Sequence, residues 1–197
     1  MEEQLRKNIE RTLGHPISDE DFELFYSNVF SKSFEKKTTI ANEGEHCKYV
    51  YFILNGSAFS YYVNEDGDKH AIQFALEGYW ITDHYSFFSG KPGIYTIETL
   101  EPSRMLVINL ENYENLCRSS HLFEHFFRVL LQNAFISLQY RLAKTNSEDA
   151  EHRYKEFSEL YPLFVQRIPQ YLIASFLGIK PQSLSRIRKE QSVRRNT

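Results

Sequence analysis

Apolar residues recur along this chain at changing intervals, and the intervals predict its elements. At the N-terminus they fall four apart, at Leu5, Ile9 and Leu13, behind two acidic residues. That is the helical interval, and it predicts a helix over residues 2–13 closed by Gly14 and Pro16. Ser18-Asp19-Glu20-Asp21 reads as a capping sequence, and Phe22, Phe25 and Val29 form the apolar face of a second helix. From Ser33 to about Leu110 the texture changes to short runs of Val, Ile, Tyr, Phe and Thr. Strands are predicted over 38–41, 49–54, 57–63, 70–75, 93–99 and 104–109, with Asn55-Gly56 and Asp66-Gly67 as the best hairpin signals. Many short strands between Gly and Asp turns argue for a closed or sandwiched β structure.

Helical spacing returns at Leu110. A short helix through Leu116 is followed, after Ser120 as its N-cap, by a long one. Leu122, Val129, Ile136 and Ala143 recur every seven residues there, joined by Phe126 and Tyr140. Phe127, Leu131, Ala134, Leu138 and Leu142 form a second set. At about 100° per residue the two stripes fall on nearly opposite sides, so the helix should have two partners. One is the β domain. The other is the same helix of a second subunit, in a coiled-coil-like seam, or a further element of the same subunit. A helix over 148–160 follows, with Tyr154, Phe157, Leu160 and Tyr161 inward and Pro162 ending it.

The stretch Gln170–Lys189 has the pattern of a helix-turn-helix. Ile173, Phe176 and Leu177 make one apolar face, and Ala174 is small where two helices would cross. Gly178 stands at the turn, Ile179 closes it, and Pro181 opens a second helix at its first position. Leu184 and Ile187 face inward, leaving Gln182, Ser185, Arg186 and Lys189 outward. An ordinary helical hairpin shares some of these features; the full set points to DNA. Lys180 and Ser183 suit a phosphate at the helix start, Arg186 and Gln182 suit base edges, and Arg188 and Lys189 add attraction to any sequence.

Charge sharpens this picture. From Arg167 onward there are seven basic residues and one acidic, a net of +6; taking that from the −3 of the whole chain leaves −9 on the rest. One end is therefore suited to a polyanion and the other is not. With 42% hydrophobic residues, 15% of the chain aromatic, 197 residues suffice for a packed core. Cys47 and Cys117 are too few for an iron–sulfur cluster and have no metal-ligand spacing. No apolar run reaches a membrane span and Met-Glu-Glu-Gln is no signal peptide, so a soluble, cytoplasmic protein is expected.

The order of a β-rich domain, a long helix and a helix-turn-helix resembles the Crp/Fnr superfamily of bacterial transcription regulators. The likeness rests on Ala41-Asn42-Glu43-Gly44-Glu45 with Tyr49–Gly56, and on Ile173–Lys189. The phrase Arg167-Ile168-Pro169-Gln170 and the short C-terminus are similar to compact members of the Bacteroidota lineage. The resemblance implies an α+β fold. Residues 1–120 would form a double-stranded β-helix, a jelly-roll sensor like a cyclic-nucleotide-binding domain. Residues 121–146 would dimerise, and residues 147–197 would bind double-stranded DNA. It also implies a homodimer on a palindromic site and RNA polymerase as a partner.

The family's cyclic-nucleotide cassette carries a Glu for the ribose and an Arg for the cyclic phosphate. Here those places fall on Thr82-Asp83-His84 and Gly93-Ile94-Tyr95, with Lys91 the nearest cation in sequence. A buried phosphate without a cationic fork is costly, so cyclic AMP is not the expected effector. The residues implied at the pocket are Tyr79, Trp80, Asp83, Ser86, Lys91 and Tyr95. They either receive a different small ligand or simply fill the roll. Only Gln191–Thr197 stand where many relatives have a β-hairpin wing, so either fewer backbone contacts to DNA follow or Arg194 and Arg195 supply them.

Other chemistries are weaker. His121 and His125 have a helical metal spacing without a third ligand, and His46, His70 and His84 are isolated. No nucleophile elbow, phosphate-binding glycine loop or paired carboxylate is present, so neither an enzyme nor a cofactor is expected. The competing readings are a ligand-binding or protein-interaction module that does not read DNA, and a cupin-like metalloenzyme.

Overall fold

The computed structural model describes residues 2–195, apart from the side chains of residues 146 and 192–195. The chain opens with helices α1 (Glu2–Leu13) and α2 (Asp19–Tyr26). Strands β1 (Phe30–Phe34), β2 (Thr39–Ala41), β3 (Tyr49–Asn55), β4 (Ala58–Val63), β5 (Lys69–Ala75) and β6 (Trp80–Ile81) follow. Helix α3 (His84–Ser89) precedes β7 (Thr96–Thr99) and β8 (Ser103–Asn109). The rest is helical: α4 (Leu110–Ser119), α5 (His121–Ser147), α6 (Ala150–Leu160), α7 (Pro162–Arg167), α8 (Gln170–Phe176) and α9 (Pro181–Arg195). Contacts divide the chain into two compact units. Unit 1 is Met1–Tyr61 with Gln73–Phe135, and unit 2 is Tyr62–Ile72 with Ile136–Thr197.

Two four-stranded sheets make the β-roll, in the orders β1-β8-β3-β6 and β2-β7-β4-β5. β3 shows why they form. Its run Tyr-Val-Tyr-Phe-Ile-Leu is apolar on both faces, as a strand covered on both sides must be. Tyr51 and Ile53 point into the roll, with Met105 and Val107 of β8 and Ile97 of β7. Val50, Phe52 and Leu54 point the other way, against the helices. There Leu5, Ile9 and Phe25 are wholly buried with Phe123 and Phe126. Inside the roll the Tyr51 hydroxyl donates to the Ile40 carbonyl at 2.7 Å. Burial pushes its pKa above the ordinary tyrosine value.

Ser18 caps α2 by accepting from the Asp21 amide at 3.0 Å, as its sequence predicts, although Val29 falls beyond the helix end. Three elements of unit 1 go beyond the predicted pattern. β1, mostly exposed, exists through its antiparallel pairing with β8; β6 exists through its pairing with Tyr51 and Phe52. α3 is capped by Asp83. The strand expected from Gly93 begins only at Thr96, because residues 93–95 are tied to Glu45 and Asp83 instead.

The first half of α5 corrects the picture of two opposed stripes. Phe123, Phe126 and Phe127 are buried together with Leu122 and Leu130 packed alongside, so members of both stripes share one core. Beyond that core, Phe135, Ile136, Leu138, Tyr140 and Leu142 are each at least half exposed.

Gly56 is the tightest turn of unit 1. Its φ is +93°, and a Cβ there would stand 2.3 Å from Ser103 Oγ and 2.5 Å from the Pro102 carbonyl. Gly56→Ala should therefore cost about 2–4 kcal/mol, from the left-handed backbone and the overlap together. Thermal unfolding should show it as a fall in Tm of roughly 5–15 °C.

Unit 2 packs Tyr154, Phe157, Phe164, Ile168, Leu172 and Ile173 into its own core. Leu160, expected inward, is 60% exposed, because α6 ends at it and the chain re-enters helix at Pro162. The hairpin residues of this unit stack Tyr62 on His70 with ring centroids 5.0 Å apart. Ser175 Oγ joins α8 to this hairpin, accepting from the Ala71 amide at 3.0 Å and donating to the Lys69 carbonyl at 2.9 Å.

Candidate nucleic-acid interface

The turn between α8 and α9 is built by backbone hydrogen bonds that only one residue type serves well. Ile179 N–H bonds the Ala174 carbonyl at 2.8 Å and Gly178 N–H bonds Ser175 at 3.1 Å, a Schellman closure. Gly178 has φ +63°, which a glycine adopts without steric cost. Ala174, Leu177 and Ile179 are buried under the turn, and Leu184 and Ile187 anchor α9 at 2% and 3% exposure.

That anchoring orients the predicted residues. Gln182, Ser185, Arg186 and Lys189 are exposed at helical spacing on one face of α9. Pro181 is the first residue of the helix and Lys180 lies exposed just before it; Ser183 is half-buried and Arg188 exposed beside the main face. Arg186 is 3.5 Å from Glu190 one turn later, an exposed pair that its spacing could have suggested. The backbone of α9 continues to Arg195, so residues 191–195 of the tail are helical; the side chains of Arg194 and Arg195 lie outside the described residues.

Arg153 supports this motif and no sequence pattern marks it. Its guanidinium donates to the carbonyls of Leu177 at 3.0 Å, Gly178 at 3.3 Å and Thr145 at 3.4 Å, and also to that of Glu148. One side chain on α6 thus holds the turn and the end of α5 together. Arg141 adds a bond to the Phe176 carbonyl, with its guanidinium 4.5 Å above the Phe176 ring. Nearby, the Glu148 carboxylate hydrogen-bonded to Lys144 holds that ammonium above the ordinary lysine value. Arg153→Ala should cost unit 2 about 2–4 kcal/mol, and Arg153→Lys should recover little of it because an ammonium lacks the fork. Faster hydrogen exchange at the Ile179 amide is the expected readout.

The residues implied at the β-roll pocket separate into two groups. Asp83, Ser86, Lys91 and Tyr95 come together: the Asp83 carboxylate accepts from the amides of Ser86, Ile94 and Tyr95, and Ser86 Oγ donates to the Lys91 carbonyl at 2.7 Å. Trp80 lies in the helix-side core instead, against Phe52 and Phe25, with its Nε1 donating to Asn8 Oδ1 at 2.8 Å. Tyr79 is 40% exposed at the start of that segment. His121 Nδ1 is 3.3 Å from Glu124, and His125 Nδ1 is 2.8 Å from Arg128, as for surface side chains on a helix start.

Residues 31–120 match the family of the cyclic nucleotide-binding domain. The wider chain resembles solved bacterial proteins of one fold. FixK2 from Bradyrhizobium japonicum is 16% identical, with 84% of this chain and 85% of that one covered and a TM-score of 0.73. A Eubacterium rectale protein assigned to the Crp/Fnr family of transcriptional regulators is 15% identical over 90% of this chain and 85% of its own, at 0.68. The c-di-GMP-responsive global regulator CLP of Xanthomonas campestris is 13% identical over 89% and 92%, at 0.67. No curated protein matches the sequence. Residues 31–120 therefore form a cyclic nucleotide-binding domain, and the whole chain has the α+β fold of these solved proteins, as the motifs led one to expect of its fold.

Proposed function

We propose that this protein is a sequence-specific, DNA-binding transcription regulator of the Crp/Fnr type that acts as a homodimer in the cytoplasm. The observation that carries the reading is the exposed face of α9, where Gln182, Ser185, Arg186 and Lys189 stand over buried Leu184 and Ile187. Such a face enters a major groove with its N-terminal end first. Pro181, at that end, leaves the amides of Gln182 and Ser183 for a backbone phosphate, with Lys180 beside them. Arg188 and Lys189 strengthen attraction to any duplex.

The dimer reading rests on the second half of α5. Leu131, Phe135, Leu138 and Leu142 are spaced four, three and four apart, the pattern of a coiled-coil seam, and the last three are 59%, 50% and 62% exposed. Two copies of α9 related by that seam would meet half-sites of a palindrome. The resemblance extends to RNA polymerase as a partner, and the protein is read as no enzyme. No described helix is long and apolar enough to cross a membrane. The effector differs from cyclic AMP, or there is none; that a neighbour of this fold is described as responsive to c-di-GMP supports treating the ligand as variable.

A binding-site selection from random duplexes tests the function. A two-fold symmetric motif with half-sites about one helical turn apart is the expected product. Retention of duplex with no enriched sequence would leave only a non-specific binder, and no retention at modest salt would favour the interaction module.

A further inference from the structure

The Asp83 carboxylate is wholly buried, and only backbone amides hold it in the described contacts. Its Oδ2 receives the amide of Ile94 at 2.7 Å and that of Tyr95 at 3.1 Å, while Oδ1 receives the Ser86 amide at 3.2 Å. Two successive amides converging on one oxygen form an anion nest, the same donor arrangement that holds a phosphate oxygen elsewhere. Residues 93–95 are also where the family resemblance puts the phosphate end of a cyclic nucleotide. Gly93 seals the approach: a Cβ there would lie 3.0 Å from Asp83 Oδ2 and 3.0 Å from the Glu45 carbonyl. The Gly93 amide is itself bonded to that Glu45 carbonyl at 2.8 Å, and the Gly44 amide to the Gly93 carbonyl at 2.8 Å. Ser86 fastens the other side, accepting from the Cys47 amide at 2.8 Å.

We propose that Asp83 is an internal substitute for the ligand's phosphate. Its carboxylate occupies the nest at Ile94 and Tyr95, so the cassette closes on the chain's own anion and takes up no cyclic nucleotide. Removing the carboxylate should uncover a site for a phosphate group. Asp83 stands where the resemblance puts the family's ribose-binding Glu, but its carboxylate oxygens accept from loop amides rather than facing a sugar. Restoring an Arg at Gly93 would also fail for want of room at Cβ. The proposal rests on unit 1 alone and stands apart from the DNA reading.

The test compares wild type with Asp83→Ala in matched chloride and phosphate buffers, by thermal unfolding. Asp83→Ala should lower Tm by about 5–10 °C in chloride, since three amides lose a charged acceptor. Inorganic phosphate should then raise the variant's Tm by several degrees more than it raises that of wild type, a comparison that removes the general stabilisation by phosphate. An equal rise in both proteins would overturn the proposal. Calorimetry of wild type with cyclic AMP needs no variant: absence of binding heat at millimolar nucleotide supports the internal anion, and a micromolar dissociation constant refutes it.

Discussion

Replacing Leu131 and Leu138 together with Asp is expected to convert a dimer into a monomer at micromolar concentration. Both lie on the face of α5 that also carries Phe135 and Leu142, and Leu138 and Leu142 are 50% and 62% exposed among the described residues. Burying one leucine is worth about 1.5–3 kcal/mol. The two substitutions change both protomers, hence four seam positions, and each also introduces a carboxylate that would have to be desolvated. At about 1.4 kcal/mol per tenfold, the dissociation constant should rise a thousandfold or more. Ile136→Asp makes the contrast. Ile136, itself 61% exposed, lies off the 131/135/138/142 face and one turn before Tyr140, whose hydroxyl donates to Glu156 at 2.5 Å, so this side of α5 already carries a contact within the subunit. That variant should remain dimeric. Sedimentation velocity without DNA distinguishes them, and a wild type that sediments as a monomer removes the seam.

Arg186→Ala is expected to cost about 1–3 kcal/mol per half-site and to flatten preference at a single base pair. A guanidinium on the exposed face of α9, one turn in from Pro181, can bond O6 and N7 of a guanine in one plane. In the free protein it has Glu190 at 3.5 Å, with the arginine side chain 73% exposed. An exposed pair of this kind is worth at most about 1 kcal/mol, too little to hold the arginine from a groove. Lys189→Ala should behave differently, weakening all sequences alike and lowering the salt slope by about one unit. Binding-site selection with both variants is the measurement. Unchanged base preference with Arg186→Ala would leave the arginine with Glu190 and remove it from reading.

The fold was most legible where burial is two-sided or strictly periodic. β3 and β8 announce themselves by continuous apolar runs, and α8–α9 by a turn that needs Gly178 and Pro181 at fixed places. β1 is hidden because Phe-Ser-Lys-Ser-Phe is a mostly exposed strand whose existence depends on the register with β8, from Phe30 opposite Val107 to Phe34 opposite Ser103. The long helix misled for a different reason. Phe123 belongs to neither stripe, and the core face of 123, 126, 127 and 130 is not visible without it. The α9 face was readable because a helix presents its own periodicity. The cassette was not: Asp83 is acidic either way, and only the folded chain shows that the amides of Ile94 and Tyr95 come to meet it. Arg153 left no sign either, since its acceptors are backbone carbonyls as much as 25 residues distant.

The Ser175 hydroxyl, bound to both Lys69 and Ala71, makes the C-terminal unit a discontinuous one. The chain passes between units at residues 61/62, 72/73 and 135/136, so no single cut yields unit 2. A chimera joined near residue 136 would bring α6 to α9 of one protein together with the β4–β5 tip of another. Its serine would then face a foreign hairpin, with no guarantee of a carbonyl and an amide at the right separation. If the proposed function holds, exchanging DNA specificity between proteins of this fold calls for moving residues 62–72 as well, or for grafting no more than the outward side chains of α9.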